Sequence, residues 1–335
     1  MQIDLRTVTI QPIRQTFDHV AERIGPNKSA SRYQEGTLRV QADANFHYRP
    51  TWDPAHEIFD PARTAIVMSD WYAFKDPRQY YYGTYTTARA RMQETAEADF
   101  DFVESRGLAV SFEAGAKQLA LDVLVPLRHV AWGANMNNSS ICAYGYGTAV
   151  TAPCIFQAMD QLGIAQYLSR IGLVLDGPEA LTAAHAAWTE APVWQELRRL
   201  VEDTLVVSDW FELYVAQNLV LDGVLFPLVY GAFDSALALK AGPTVSMLLR
   251  FPSEWFAETS KWVDATIKTA AAESDANQAQ LSSWFAAWRS RAAAALAPVA
   301  ALALGDGADA ALAGALSALD ARAAKAGLTL GSSVG

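Results

Sequence analysis

From about residue 76 onward, apolar positions recur at steps of three and four. Tyr81, Tyr85, Ala88, Met92 and Ala96 share one helix face, and Arg89, Arg91 and Gln93 fall opposite. Asp76-Pro77 offers an N-cap followed by proline at the first helical position, so the helix is expected to start there. Further helices are expected over about 113–133, kinked at Pro126, over 148–172, and over 192–206, where Trp194, Leu197, Val201 and Leu205 keep the period. Asp209-Trp-Phe-Glu212 has capping-box spacing with Asp as the cap. The helix it opens, to about Leu239, is apolar nearly all round and is expected to be central and buried. Two more are expected over 253–273 and from Asn277 to about Ala303. The Ala/Gly-rich stretch 304–335 reads as a tail or terminal helix. No sustained alternation of period two and no repeat of 20–50 residues stands out. The pattern predicts an all-α fold, a long-helix bundle over 76–303.

Residues 1–75 differ. Pro12, Pro26, Pro50, Pro54 and Pro61 cut them into short pieces, while Phe17, Tyr33, Phe46, Tyr48, Trp52, Phe59 and Trp71 recur. Proline fixes φ and removes a donor, so the segment is expected to be extended. Either it wraps its own body or it lies on a partner. Its aromatic content resembles interface composition, so docking on a partner subunit is the expectation.

The 335 residues carry 26 Lys+Arg against 36 Asp+Glu, a net charge of −10, with 51% hydrophobic and 19% charged positions. That suits one large domain or two of about 150 residues with a substantial core. The acidic balance argues against a nucleic-acid partner. Two cysteines, Cys142 and Cys154, suit a reducing cytoplasm and cannot form a zinc site. The first residues have no secretory pattern, and the apolar run Ala292 to Leu304 is broken by Pro298 and short of the roughly 20 residues of a span. A soluble cytoplasmic protein with no membrane partner is expected.

Catalytic signatures are missing: there is no G-x-S-x-G, no P-loop and no dinucleotide fingerprint, and Gly145-Tyr-Gly147 reads as a turn. A long-helix protein invites the di-iron test, which needs E-x-x-H pairs one helical turn apart. Of His19, His47, His56, His129 and His185, only His56 has an acid three residues earlier, Asp53, and that pair lies in the proline-broken arm. Glu94, Glu97, Asp101 and Glu104 form one stripe that reads as a solvated face, with a docking strip for a basic partner or a metal site as rivals. Arg128, His129, Asn135, Asn137, Asn138, Ser139 and Ser140 form a polar cluster explained by helix termination and buried hydrogen bonds, with interface contacts as the sharper alternative. A ligand pocket among Tyr80, Tyr81, Tyr82 and Tyr85 is disfavoured, because consecutive helical side chains diverge by about 100°.

Certain stretches carry a resemblance. They are Asp4 to Phe17 ending in PIRQTF, ASRYQE (30–35), NFHYRP with WDP (45–54), DPRQYYYGTY and ARARMQE (76–94), VPLRHVAWGANMNNSS (125–140), QAMDQLGIAQYLSRIGL (157–173), DWFELYVAQNLVLDG (209–223) and KWVDATIKT to DAN (261–277). In this order the chain resembles the β subunits of bacterial multicomponent phenol hydroxylases, within the soluble di-iron monooxygenases. The match spans nearly the whole chain and is weakest after about 290.

The resemblance implies a ferritin-like helical domain that has lost its metal ligands, with no catalytic residue, cofactor or metal in this chain. It implies an (αβγ)₂ hydroxylase in which a catalytic α subunit carries the di-iron centre, alongside a small γ subunit. A coupling protein and a reductase bearing FAD and [2Fe-2S] would complete the system, with NADH as electron donor. The isolated chain is expected to be inactive, and the complex to hydroxylate phenol to catechol with O₂; a toluene or alkene monooxygenase is the alternative. Compared with D-E-x-[RK]-H strings of catalytic relatives, Asp160-Gln161…Ile164 and Asp264-Ala265…Lys268 occupy what look like equivalent places. Gln161 and Ala265 then replace a ligand Glu, and Ile164 and Lys268 a ligand His. None of the four is a competent iron ligand there. Asp222 reads as a satisfied buried polar group or a third former ligand position. Interface candidates are Phe46, His47, Tyr48, Trp52, Arg128, His129, Asn135 and Asn137.

Overall fold

A computed structural model describes residues 14–42 and 47–329. Among these residues the regular structure is helical, with no strand. Two short helices, α1 (Asp18–Ile24) and α2 (Arg32–Glu35), precede a body of long ones. These are α3 (Tyr82–Ser105), α4 (Ala114–Leu124), α5 (Arg128–Tyr144), α6 (Thr148–Asp176), α7 (Pro178–Glu190) and α8 (Pro192–Thr204). The helical run α9 (Trp210–Ala241) follows, then α10 (Thr244–Leu248), α11 (Arg250–Glu273), α12 (Asp275–Leu304) and α13 (Ala308–Lys325). The architecture is ferritin-like, as expected.

α9 is the axis of the body. Asp209 caps it, accepting from the backbone N–H groups of Phe211 and Glu212. From Trp210 to Phe226 every residue except Glu212 is buried. A helix apolar on all sides must be surrounded, which is why it can pass for a membrane span by length and composition while its most apolar window is 67% buried. The Ala-rich run Asp275–Lys325 passes the same test on composition and is mostly uncovered. Two stretches of α9, Val215–Leu221 and Pro227–Phe233, are wound as π-helix. Such widened turns recur where a helix carries functional or irregular side chains.

α5 and α6 form an antiparallel hairpin joined at 145–147, and Trp194, Trp210, Trp255 and Trp262 anchor the core around them. Close approach demands glycine at two points. A Cβ on Gly133 of α5 would sit 2.5 Å from Val201, and one on Gly223 of α9 would sit 2.9 Å from Leu319. The second contact seats α13, whose Ala315, Leu319 and Ala323 are buried. Arg289 of α12 pairs with Asp320 of α13, and Arg322 of α13 with Asp264 of α11.

Several expectations are corrected. Asp76 does not cap α3, which starts at Tyr82; Gln79 has φ of +52° and Asp76 is buried against Arg78. Pro126 separates two helices instead of kinking one. Helix α7 was not anticipated, because its alanines blur the apolar period. Asn135 to Ser140 lie within α5 and end nothing. In the first segment, Ile66, Met68, Trp71 and Phe74 are buried on the chain's own bundle, tied down by Ala65 N–H to Asp209 and by Val67 N–H to Asn277. Phe17, Tyr48 and Trp52 stay largely exposed.

Candidate functional site

Two buried polar centres lie along α6. The first is ionic. Asp160 accepts from Tyr85 Oη at 2.8 Å, from Arg89 Nε at 2.8 Å and Nη2 at 2.9 Å, and from Trp255 Nε1 at 2.9 Å. Arg89 also donates to Glu258 on α11 at 3.1 and 3.2 Å. Beside it Arg78 is held by Asp76 at 2.9 Å and reaches Thr259. Burial would raise the Glu258 carboxyl, but the Arg89 hydrogen bonds and charge, with Arg78, outweigh it and hold it low. Burial, then the Glu258 charge, pushes Tyr80 up to about 12, and burial with Asp160 raises Tyr85. Ion pairs so placed are stabilising only when every charge is matched.

The second centre is neutral. Asp222 on α9 accepts from Gln217 Nε2 at 2.9 Å and from Gln161 Nε2 at 3.3 Å. Asn137 on α5 donates to Gln217 at 2.9 Å and to Thr204 at 2.8 Å. Asn138 and Asn218 exchange reciprocal amide bonds at 3.0 and 2.9 Å. Full burial pushes the Asp222 carboxyl up to about 8, against the pull of the Gln217 hydrogen bond and of the Arg322 charge. The π-wound turns of α9 supply Gln217 and Asn218, and Asp222 follows directly.

Neither donor set fits a di-iron centre. Asp160 is saturated by a guanidinium, an indole and a phenol, and Asp222 is ringed by amides. No histidine reaches either centre: His129 and His185 stack near Trp188, and His56 bonds Asp53 in the first segment. Among the described residues no group of three or more His, Cys, Asp or Glu could hold a metal ion.

The proposed lost-ligand positions separate. Gln161 and Ile164 are buried beside Asp222, whereas Ala265 is only half-buried and Lys268 is exposed. From α11, Trp255 and Thr259 bond Asp160 and Gln157 of α6, and Glu258 bonds Arg89 of α3. Among the interface candidates, Asn137 is 1% exposed and belongs to the chain's own network. Arg128 donates to Leu181 O, and His129 stacks on Trp188 at 5.6 Å. Asn135 donates to Ala158 O. His47, Tyr48 and Trp52 are exposed, and Phe46 lies outside the described residues. The carboxylate stripe is drawn together by Arg170, which reaches Glu97, Asp101 and Glu104. Of the tyrosines, Tyr80 and Tyr85 turn inward and Tyr82 outward.

Arg89 was missed, having been assigned to the outer face by its spacing. Asp160, an isolated acid on the largely apolar helix α6, is the signal in the sequence that a buried polar partner is needed there.

A profile of the methane/phenol/alkene hydroxylase family matches residues 52–274. The chain is 52% identical over 302 residues to "phenol 2-monooxygenase, oxygenase component DmpL" of Pseudomonas sp. (strain CF600), covering 90% of this chain and 91% of that one. It is 24% identical to the "toluene-4-monooxygenase system, hydroxylase component subunit beta" of Ectopseudomonas mendocina, covering 83% and 87%. Its fold superposes on a chain of the xenon-pressurized phenol hydroxylase from Pseudomonas sp. OX1 with a TM-score of 0.92 and 44% identity, covering 97% of this chain and 99% of that one.

Proposed function

Because this chain belongs to the methane/phenol/alkene hydroxylase family, we infer that it is the non-catalytic β subunit of a phenol hydroxylase, scaffolding a separate catalytic chain. One observation carries this reading: the interior of the bundle, where a hydroxylase would need carboxylates and imidazoles around iron, is filled by Arg89 with Asp160 and Glu258 and by an amide network around Asp222. A guanidinium bonded to two carboxylates supplies the positive charge that a metal would otherwise bring.

In the assembly proposed, (αβγ)₂, the di-iron centre belongs to the α subunit, and a small γ subunit, a coupling protein and an FAD/[2Fe-2S] reductase using NADH complete the system. Phenol is the proposed substrate and catechol the product; identity with the phenol 2-monooxygenase component supports phenol over toluene. Exposed Tyr48 and Trp52, together with His47, are proposed as contacts to the catalytic chain, since exposed aromatics mark interfaces. Two free cysteines suit a cytoplasmic location.

The test is purification of the tagged chain from its native host, with mass spectrometry of co-eluting chains and iron assigned by subunit. A stoichiometric larger chain holding all the iron, with a small third chain, is expected. Elution alone with bound iron would overturn the reading.

A further inference from the structure

The outer face of the α5–α6 hairpin carries no charge. From Val130 to Ser169 the sequence holds a single Asp, Glu, Lys, Arg or His, and that residue, Asp160, is buried against Arg89. At the 19% charge of the whole chain, about eight would be expected in a stretch of this length. What stands outward instead is apolar. On α5, one turn apart, Trp132 is 56% exposed and Met136 43%; on α6, Met159 is 41% exposed and Leu162 38%. Asn135 donates to Ala158 O, which sets the register of the antiparallel pair and places Met136 level with Met159 and Trp132 level with Leu162. The four side chains therefore share one face. Exposed aromatic and Met side chains without charge have the composition of an interface core, whereas a solvated helix face carries Lys and Glu.

Size and surroundings say what covers it. Two packed helices over the 17 residues of α5 present a face roughly 25 Å long and 20 Å wide, on the order of 500 Å². A stable interface takes about 800 Å² from each partner, so the hairpin needs a continuation. It has one at the end of α5, where Trp52, 63% exposed, meets Tyr144 edge-on at 5.2 Å. The face thus runs into the exposed aromatics assigned above to contact with the catalytic chain. A second copy of this chain fits less well. Glu97 borders the face through the groove it shares with Met159 and Gly163, and Asp101 and Glu104 follow it on α3. Two copies, each with a net charge of −10, would bring like charges together around an apolar centre.

We propose, on the subunit role inferred above, that the outer face of the α5–α6 hairpin, centred on Trp132, Met136, Met159 and Leu162, docks an uncharged, apolar helical face of the catalytic chain.

The test is photo-crosslinking in the native host, with p-benzoylphenylalanine in place of Met136 of the tagged chain. The control places it at Leu239, 91% exposed and off this face. A cross-link from position 136 to the larger, iron-holding chain, identified by mass spectrometry, is expected, with at least about tenfold less from position 239. In parallel, Met159→Arg with Leu162→Arg puts unpaired charge on the face at exposed positions. The pair should lower the larger chain recovered per tagged chain at least about tenfold with thermal melting unchanged, and Leu239→Arg should lower neither. Should the double variant melt early, the cross-link from position 136 decides alone. A cross-link from 136 to another copy of this chain, or to no chain, would overturn the proposal, as would full recovery of the larger chain by a folded double variant. The subunit role would survive each of these as long as the unaltered chain still co-purifies with the iron-holding chain. An unaltered chain that recovers no larger chain would overturn both.

Discussion

The two polar centres along α6 solve one problem by opposite means. Around Asp160 the polar interior is ionic, with Arg89 bridging Asp160 and Glu258. Around Asp222 it is neutral, with amides donating to a carboxyl whose value burial has raised to about 8. The difference follows from access. Glu258 keeps 27% of its side chain exposed and a groove lined by Arg89, Glu97 and Arg170 opens beside Asp160, so charge there is partly solvated. Asp222 is enclosed by α5, α6 and α9, where charge has no solvent to share. Matched ions are tolerated near a surface; in the deep interior proton uptake is cheaper than ionisation.

The sharpest way to break this contrast is Arg89→Met, which strands Asp160 without its cation. A loss of roughly 3–5 kcal/mol in denaturant unfolding is expected, and Arg89→Met combined with Asp160→Leu should recover most of it. If the single variant were as stable as the parent, the ionic centre would not be a charge-matched one.

Asp222→Asn tests the neutral centre through pH. The folded carboxyl titrates near 8 against 3.8 unfolded, so the folded state binds the proton more tightly. Stability from this group is full below about 4 and is lost as pH rises to about 8. The loss is at most about 1.4 kcal/mol per pH unit. Asp222→Asn should flatten that slope, and so gain on the parent as pH rises through the window. Parallel pH profiles would show that Asp222 is ionised in the fold.

Asn218→Ala leaves Asn138 without its reciprocal partner and should cost about 1–3 kcal/mol, whereas replacing both by apolar residues should cost less. Double-mutant cycles give the coupling directly.

The smallest effect belongs to His129. Burial, then the charges of Arg128 and His185, pulls it down to about 4 from 6.5. Its contribution is present above about 6.5 and declines as pH falls toward 4. His129→Asn should remove a shallow acid slope, read from thermal melts between pH 7 and 4.

Much of the helical body was legible because its helices are amphipathic or wholly apolar. Trp194, Leu197 and Val201 mark α8, and the cap at Asp209 opens α9. What failed was local. Asp76-Pro77 has the letters of a cap, yet Asp76 is drawn to Arg78, a contact within two residues that competes with helix initiation. Leu205 continues the apolar period of α8 but lies beyond its end and is exposed. The family resemblance was visible in motifs spread along the chain.

By itself the amino-acid order determined which segments are helical, that α9 must be interior, and that no E-x-x-H pair stands on a helix, because these depend on periodicity and on residue chemistry at fixed spacings. Only the tertiary structure decided which buried acids meet a cation and which keep a proton. Arg89 and Asp160 are 71 positions apart, and Gln161 and Asp222 are 61 apart. Such partnerships arise from helix packing, where Gly133 and Gly223 permit close approach, and the charge state of a carboxyl is set by the dielectric and the donors that packing puts around it.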